Sequence, residues 1–439
     1  MKLHSFLPAA AAWVGLLASA AVQAEEITVV HAGTLLSVPG KEAKTGQTIL
    51  IVGNRITAVS DGFTDPATLG SGTRLIDLSD KFVLPGLMDM HVHLLGELGP
   101  DSRTAVLTTT TAMAAMKGVL HAGRTLNAGF TTVRDLGGDP EAIFALRDAI
   151  AKGMIEGPRI IAAGSSIAAT GGHGDVDGYK PELLRLWTPE TICDGPYDCR
   201  RATRHAVKYG ADWIKITATG GVLSDTATGT GQQMTADELQ EIMDTAHALG
   251  VKVAAHAHGA DGINAALRAG VDSIDHGTFL DSESVSLFRK NGAYLVPTLL
   301  PGAKIPPMMA GNPFFTDAIK AKANDAAAAS LGNVKLAHAA GVKIAFGTDT
   351  GVTPHGDNAQ EFALMVKAGM SESDAIRAAT VVASELIGMS ADLGTIEAGK
   401  FADIIAVDGN PLKEIAVLEH VDAVIRDGRL VGGGQRLHD

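Results

Sequence analysis

The chain has 439 residues, of which 46% are hydrophobic, 4% aromatic and 19% charged, and its formal net charge is -13. This acidic balance, with Lys and Arg scattered along the chain, disfavours nucleic acid as a partner. Plentiful Gly and Ala with few aromatic residues are typical of a large, regular α/β protein.

The first 24 residues have the pattern of a secretory signal peptide. Lys2 precedes an apolar stretch over 9–22, and small residues ending at Ala24 stand before the acidic pair Glu25-Glu26. The stretch is shorter than the roughly 20 residues that a membrane-spanning helix needs. We therefore expect cleavage after Ala24 and a secreted, periplasmic protein with no stable membrane anchor. An uncleaved anchor is the alternative.

Short β-prone segments occupy both ends of the mature chain. They cover 27–31, 48–52, 55–59 and 75–78 near the N terminus, and 402–407 and 421–429 near the C terminus. Gly53-Asn54 and Asp427-Gly428 are hairpin turn signals. We predict that 25–82 and 396–439 together form one small composite β-sandwich domain, interrupted by the central part of the chain.

The central part, 83–395, alternates strand and helix patterns. The eight candidate strands are 83–91, 130–134, 159–163, 213–217, 251–256, 273–276, 294–297 and 343–347. Thr235 with Glu238 three residues later is a capping box that predicts a helix start. Eight such units favour an α/β fold of the (β/α)8 TIM-barrel type, with a doubly wound open sheet as the alternative.

The first of these strands ends in two histidines, His91 and His93. Because side chains of a strand repeat their direction every second residue, both imidazoles leave the backbone on one face, close enough to hold one cation. By itself the pair is also compatible with a polar strand end. Its interpretation depends on whether other strands supply further ligands.

Further candidate ligands lie where other strands of the predicted barrel end, which is the face that carries the active site in such folds. They are Lys215 in the fourth strand, His256 at the end of the fifth, His276 at the end of the sixth and Asp349 after the eighth.

Lys215 lies inside the apolar segment Trp213-Ile214-Lys215-Ile216. Burying an ammonium is costly unless it is paired or loses its charge. Carbamylation by carbon dioxide would turn the amine into a carboxylate whose two oxygens can bridge two divalent cations. The alternatives are a salt bridge to Asp212 or a side chain that reaches outward to solvent.

The two cysteines, Cys193 and Cys199, lie in a Gly-Pro-containing loop. In an oxidising compartment such a close pair favours a disulfide. Two free thiols, or a soft metal site that would need two more ligands, are the alternatives.

Several loops after the strands carry further candidates. The segment 220–231 lacks the lysine of a phosphate-binding loop, so we expect a flexible cover over the site. The segment beginning at Thr298 is expected to shape the substrate pocket, with packing between subunits as the alternative. His258 contacts either substrate or backbone, and Arg134 and Asp135 are expected to form a structural ion pair.

Taken together, these segments resemble the amidohydrolase superfamily. The resemblance covers nearly the whole mature chain and is carried by 85–93, 131–135, 256–259 and 393–403. The chain is similar in particular to the branch that contains Xaa-Pro-type dipeptidases, aminoacylase-like carboxypeptidases and ochratoxin-hydrolysing amidases.

The resemblance implies a binuclear centre. It assigns the more buried metal ion to His91, His93 and Asp349 and the outer one to His256 and His276, and it makes carbamylated Lys215 the bridge between them. It also implies that His173 contacts substrate. Zinc is the expected metal, although cobalt or manganese would fit the same ligands.

The expected activity is hydrolysis of an amide between an acyl group and a C-terminal amino acid. Two divalent cations make a shared water a hydroxide near neutral pH, and Asp349 can take its proton and deliver it to the departing nitrogen. Dipeptides, N-acyl amino acids and ochratoxin A, split into phenylalanine and its isocoumarin acid, are candidate small-molecule substrates. The resemblance also favours a homo-oligomer as large as an octamer.

Three other functions remain open. An imidazolonepropionase-like cyclic-amide hydrolase or deaminase commonly works with one metal and lacks the bridging lysine, so Lys215 speaks against it. A lactonase would use the same attacking hydroxide. A non-catalytic relative would be expected to lack several of the six ligand positions, all of which are filled here.

Overall fold

The computed structural model describes residues 26–176, 178–225 and 229–432, so the expected signal peptide lies outside the described residues. The strands are β1 Ile27–Leu35, β2 Lys44–Val52, β3 Arg55–Asp61, β4 Arg74–Pro85, β5 Leu87–Val92, β6 Phe130–Asp135, β7 Arg159–Ala162, β8 Trp213–Thr217, β9 Lys252–Ala257, β10 Ser273–His276, β11 Tyr294–Val296, β12 Lys343–Ile344, β13 Ile404–Val407, β14 Val421–Arg426 and β15 Arg429–Gly432.

The helices lie mainly between the strands from β5 to β13. They are α1 Ser102–Thr108, α2 Thr111–Asn127, α3 Pro140–Ala151, α4 Pro181–Trp187, α5 Pro196–Tyr209, α6 Ala236–Ala248, α7 Ala260–Ala269, α8 Ser282–Asn291, α9 Leu299–Met308, α10 Asp317–Ala339, α11 Gln360–Lys367, α12 Glu372–Ala378 and α13 Val381–Leu386. The predicted capping box opens α6, where the Glu238 side chain accepts from the Thr235 amide at 2.8 Å.

Strands from both chain ends share one sheet, in the order β15-β14-β13-β4-β1-β2-β3. Both predicted hairpins are present, since Gly53-Asn54 joins β2 to β3 and Asp427-Gly428 joins β14 to β15. The inner side chains of this sheet, such as Val30, Ile49 and Ile404, form a hydrophobic cluster. All described strands of the two end segments belong to this one sheet, so the predicted β-sandwich, which requires two sheets, is not confirmed.

The predicted strand 83–91 is divided between two sheets. Residues 83–85 end β4, and β5 begins only after Gly86. The Gly86 amide bonds to Asp403 of the C-terminal segment, whereas the next amide, of Leu87, bonds to Gly129 ahead of β6. A Cβ at Gly86 would overlap the Thr131 side chain, so only glycine fits this crossing point.

The central strands form two parallel sheets, β5-β6-β7 and β12-β11-β10-β9-β8. Alternation of parallel strands with helices makes the molecule an α/β protein. Two isolated parallel bridges lie at the outer strands of these sheets. One joins Ile216 of β8 to Ile167, in the segment after β7, and the other joins Val92 of β5 to Thr350, in the segment after β12. No continuous ladder of hydrogen bonds joins the two sheets among the described residues. The predicted α/β fold is therefore confirmed, but closure of the sheets into one barrel is not.

The loop before α5 is tied to that helix by a disulfide between Cys193 and Cys199, the pairing that the sequence favours. Cys199 is fully buried and Cys193 is nearly so. Over the part of the chain that the structure describes, no helix has both the length and the apolar composition that crossing a bilayer would require.

Candidate metal centre

A cavity of about 400 Å³ opens where the parallel strands end. Every residue that the sequence predicts for the site lines it: His91, His93, His173, Lys215, His256, His258, His276 and Asp349. Strands β5, β8, β9 and β10 carry four of them. His93 and His258 directly follow β5 and β9, His173 lies on the loop after β7, and Asp349 lies in the segment between β12 and α11. The roles expected of these residues stay predictions, but the fold brings all of them together.

His91, His93 and Asp349 form one of two groups of potential metal ligands. The Nε2 atoms of the two histidines are 3.3 Å apart, and they lie 3.4 and 3.2 Å from Asp349 Oδ1. Ligand atoms bound tetrahedrally at about 2.0–2.1 Å from a zinc ion would be separated by about 3.3 Å. The three atoms therefore have the spacing of one face of such a site.

Unpaired polar atoms test whether these residues fit a metal. Among the buried polar atoms of the described residues, Asp349 Oδ1, His256 Nε2 and His91 Nδ1 have no hydrogen-bond partner. Leaving buried polar atoms unpaired costs free energy, about 1–3 kcal/mol each. A cation bound by Asp349 Oδ1 and His256 Nε2 would remove two of these costs, so the donor set fits a metal centre.

The second group consists of His256, His258 and His276, whose ligand atoms lie within 4.8 Å of one another. The ring centroids of His256 and His276 are 4.6 Å apart, and that of His276 lies 5.1 Å from the His91 ring. The two groups are thus neighbours on one cavity floor.

Lys215 is paired inside the protein and does not reach solvent. Its Nζ lies 2.5 Å from Asp275 Oδ2, and its side chain is 4% exposed. Asp212, the partner considered from the sequence, instead pairs with Arg147 at 2.9 Å. Burial lowers the pKa of the Lys215 amine.

Asp275 connects Lys215 to a second buried cation, Arg134. The guanidinium of Arg134 donates to Asp275 Oδ1 at 3.1 Å and to the Met90 carbonyl at 2.7 Å, and its side chain is fully buried. The expected Arg134–Asp135 ion pair is therefore wrong. Asp135 instead accepts from the amide of Leu94 at 2.7 Å.

Burial sets the protonation of most site imidazoles. It lowers the pKa of His91, His256 and His276 well below the usual range, so these rings are neutral and able to bind a metal. Burial also acts on His93, but the Asp349 carboxylate beside it raises the pKa of His93 to about 9.

Backbone strain is concentrated at this site. His276, Thr298 and Asp349 have φ angles of 70°, 47° and 59°, in the left-handed region that favours glycine. Such conformations cost about 1–3 kcal/mol each and persist where surrounding structure imposes them. Their position in one cavity wall indicates that the geometry of the site is selected at the expense of local stability.

His173 is fixed on several sides. Its ring centroid lies 4.2 Å from that of His256, and its Nδ1 lies 2.5 Å from the Ser224 hydroxyl. A Cβ at Gly221 would overlap the imidazole ring. Lys322 on α10 holds this part of the loop by donating to the carbonyls of Gly221 and Ser224 at 2.8 and 2.5 Å.

The predicted cover is thus anchored over part of its length. Its residues Val222 and Leu223 line the cavity and pack with a hydrophobic cluster that includes Ile305. Residues 226–228 of the same segment lie outside the described residues. Helix α9 contributes Pro301 and Ile305 to the cavity, as expected of a segment that shapes the pocket.

The His258 imidazole forms a hydrogen bond with a side chain, whereas the sequence analysis considered substrate or backbone as its partner. Its Nδ1 lies 2.7 Å from the Thr278 hydroxyl, and its ring stacks on that of His276 at 4.8 Å. Burial lowers the pKa of His258 to about 3 and that of His173 to about 4. Both imidazoles are neutral and can donate a hydrogen bond to a ligand.

Sequence reasoning did not predict the supporting contacts of Asp275, Ser224, Thr298 and Glu361. Asp275 had a recognisable signal, because it is an acidic residue inside the predicted strand 273–276, next to a candidate ligand. The other three carry no local signal, since their partners are far away in the chain.

Comparison with known proteins agrees with this geometry. The model of the amidohydrolase family matches residues 82–431. Ochratoxinase from Aspergillus niger is 31% identical over 438 residues, which cover 95% of this chain and 89% of that protein.

Solved structures give the same picture. A Xaa-Pro dipeptidase with methionine bound in its active site superposes with a TM-score of 0.87 at 42% identity, over 93% of this chain and all of that one. A prolidase complexed with N-methylphosphonate-L-proline has a TM-score of 0.84 at 32% identity over the same shares. The chain belongs to the amidohydrolase family and is a hydrolase acting on amide or peptide bonds.

Proposed function

We propose that this protein is a binuclear metal-dependent hydrolase that cleaves the amide bond between an acyl group and a C-terminal amino acid. The observation that carries the proposal is the pair of adjacent ligand groups on the floor of one cavity. Hydrolysis of an amide requires activation of water, polarisation of the carbonyl and protonation of the leaving nitrogen. Each requirement has a candidate group in this cavity.

In this proposal His91, His93 and Asp349 hold one divalent ion, and His256 and His276 hold the other. Lys215 lines the same cavity, and once carbamylated its carboxylate would serve both ions as a shared ligand. In that reaction the neutral amine forms a C–N bond to carbon dioxide and releases a proton, which yields a carboxylate. Asp275 would then lose the ammonium beside it but keep Arg134 as its partner.

Divalent ions bound here, zinc in our proposal, would lower the pKa of a water and polarise the scissile carbonyl. Asp349 is the general base, because its carboxylate lies among the ligand atoms, where one oxygen can hold an ion while the other accepts a proton. It accepts a proton from the attacking water and delivers it to the amide nitrogen, which leaves only when protonated. His173 and His258, both neutral, donate to the substrate carbonyl or carboxylate.

The cavity wall favours a neutral, apolar group on the substrate. Leu136, Val222, Leu223, Ile305 and Val352 line it, and apart from the histidines, Lys215 and Asp349 are the ionisable residues among the described ones that line the cavity. A charged side chain on this wall would lose its hydration without gaining a partner.

The relatives point to the same substrates. Ochratoxinase and the Xaa-Pro dipeptidase are named for an aromatic amide and for dipeptides, respectively. We therefore propose dipeptides and bulky N-acyl amino acids as substrates, with ochratoxin A as the specific aromatic candidate.

The architecture and location belong to the same proposal. We infer that the two parallel sheets are parts of one (β/α)8 barrel spanning 83–395, with 25–82 and 396–439 as the accompanying β domain. The disulfide supports export, since such bonds persist in oxidising compartments such as the periplasm. Exposed Met113, Met116 and Leu120 on α2 support a homo-oligomer, for which an octamer is the expected size.

The test is to remove the metal and restore it. Treatment with a chelator should abolish hydrolysis of a panel of Xaa-Pro dipeptides, N-acyl amino acids and ochratoxin A, and zinc with bicarbonate should restore it. Metal analysis should give two ions per chain in the active protein. Activity that is indifferent to chelator would refute the proposal, and one ion per chain in fully active protein would favour the imidazolonepropionase-like alternative.

Substitution of Lys215 tests the bridge separately. Lys215→Ala should lose most of its activity and bind fewer than two ions, because the bridging carboxylate is absent. Full activity in this variant would show that carbamylation is not required.

A further inference from the structure

A buried glutamate lies beneath the cavity wall and has no part in the mechanism above. Glu361 on α11 is fully buried. Its Oε1 accepts from the amide of Leu299 at 2.8 Å, and its Oε2 accepts from the amide of Leu300 at 2.7 Å. These amides open helix α9, so a side chain from another helix satisfies the first turn of α9.

The residue that would normally satisfy these amides is Thr298. A threonine at a helix N-cap usually adopts an extended conformation and accepts from an amide of the first turn. Thr298 has φ 47° and ψ 58° and makes no such bond. Its hydroxyl lies instead 2.6 Å from Nδ1 of His276.

These hydrogen bonds connect Glu361 to the candidate metal centre through Thr298 and His276. Because Glu361 takes over the capping of α9, the Thr298 hydroxyl is available to the imidazole. The two bonds to consecutive amides also hold the chain directly after Thr298, which resists relaxation of its left-handed conformation. A hydroxyl that accepts from Nδ1–H of His276 leaves the Nε2 lone pair of that ring for a metal.

We propose that Glu361 and Thr298 are positioning residues that set the ring of His276 for the outer metal ion. The proposal rests on the metal-dependent function proposed above. It predicts that changes at Glu361, which lines no part of the cavity, weaken one of the two ions selectively.

The experiment titrates the chelator-treated full-length protein with Co²⁺ and follows binding by visible absorption and by competition with a chelator of known affinity. In Glu361→Gln the side-chain NH₂ replaces one acceptor oxygen, so one of the two helix amides loses its hydrogen bond. In Thr298→Val the hydroxyl is lost at nearly constant side-chain volume. Each variant should bind one Co²⁺ about 10-fold to 100-fold more weakly, which is the usual effect of removing a group that orients a metal ligand. The other ion should bind as in the wild type.

Two further variants separate positioning from general loss of structure. Glu238 is also a buried glutamate whose oxygens each accept from one backbone amide, but these amides, of Gly195 and Thr235, do not follow a residue that bonds to a candidate metal ligand. Glu238→Gln should therefore leave both Co²⁺ affinities unchanged. Thr298→Ser keeps the hydroxyl and should restore the affinity lost in Thr298→Val.

Unchanged Co²⁺ affinities in Glu361→Gln and Thr298→Val would overturn the proposal, as would equal weakening in Glu238→Gln. A wild-type protein that binds no Co²⁺ would overturn the metal-dependent function and this inference together. The two failures are therefore distinguishable in one set of titrations.

Discussion

The buried arginine next to the candidate metal centre allows a strong test of how this site is supported. Arg134 donates to the Met90 carbonyl at 2.7 Å, to the Ser273 hydroxyl at 3.1 Å and to Asp275 Oδ1 at 3.1 Å. Its guanidinium also lies 4.6 Å from the centre of the Trp213 ring. In Arg134→Met all three donors disappear while much of the side-chain volume remains.

The expected cost follows from what remains after the substitution. Removing one partner of a buried ion pair costs about 3–5 kcal/mol, because the other charge is left uncompensated. Asp275 keeps Lys215 at 2.5 Å, which favours the lower end of that range. The Met90 carbonyl loses its donor as well, which adds about 1 kcal/mol. We expect the free energy of unfolding to fall by about 3–4 kcal/mol in Arg134→Met.

Thermal and denaturant unfolding of the metal-free proteins measures this cost, with Arg268→Met as the control. Arg268 pairs with Glu283, and both side chains are more than half exposed, so this substitution should cost less than about 1 kcal/mol. If Arg134→Met is no more destabilised than Arg268→Met, the buried network around Asp275 does not stabilise the fold and our reasoning is wrong.

Three other substitutions have specific expected outcomes. Gly221→Ala places a Cβ against the His173 ring and should raise KM for acyl-amino acids about 10-fold. The control Gly123→Ala places its Cβ in open space and should leave KM unchanged. Equal KM values in the two variants would contradict the proposed role of His173. Burial raises the pKa of Glu361 to about 8, so the folded protein holds a proton that the unfolded chain loses above about pH 4.5. The free energy of unfolding should therefore decrease with rising pH between about 4.5 and 8, by up to about 1.4 kcal/mol per pH unit from this group, and the dependence should be smaller in Glu361→Gln. Denaturant unfolding of the metal-free proteins from pH 5 to 9 measures this, and equal slopes would refute it. Cys193→Ala should lower the free energy of unfolding by about 2 kcal/mol, the value expected for opening a short disulfide loop. A reductant should then lower the melting temperature of the wild type alone, and an equal shift in the variant would exclude the disulfide as the cause.

Local features of this protein could be predicted from the sequence because they depend on neighbouring residues. The Gly53-Asn54 and Asp427-Gly428 turns and the capping box at Thr235 are each specified within a few residues. The two-residue spacing of His91 and His93 likewise places both imidazoles at one strand end. The strand 273–276 was predicted with its observed bounds.

Boundaries and partners that depend on distant segments could not be predicted in this way. The apolar residues on both sides of Gly86 form one hydrophobic pattern, and only contacts with the C-terminal segment and with β6 divide it between two sheets. The hydrophobic pattern of a strand reports that it is buried, but not which neighbour it pairs with.

The sequence by itself determined which residue types stand at the strand ends, and hence the chemistry of the candidate centre. The tertiary structure alone decided what supports them. Lys215 and Asp275 are 60 residues apart, Arg134 and Asp275 are 141 apart, and Glu361 caps a helix that begins 62 residues earlier. Such contacts depend on how separate strands and helices pack, and no local pattern encodes that arrangement. A buried charge is stable only next to a partner, and the packing of the strands decides which partner lies within reach. The packing therefore determines the network of Arg134, Asp275 and Lys215 beside the metal ligands.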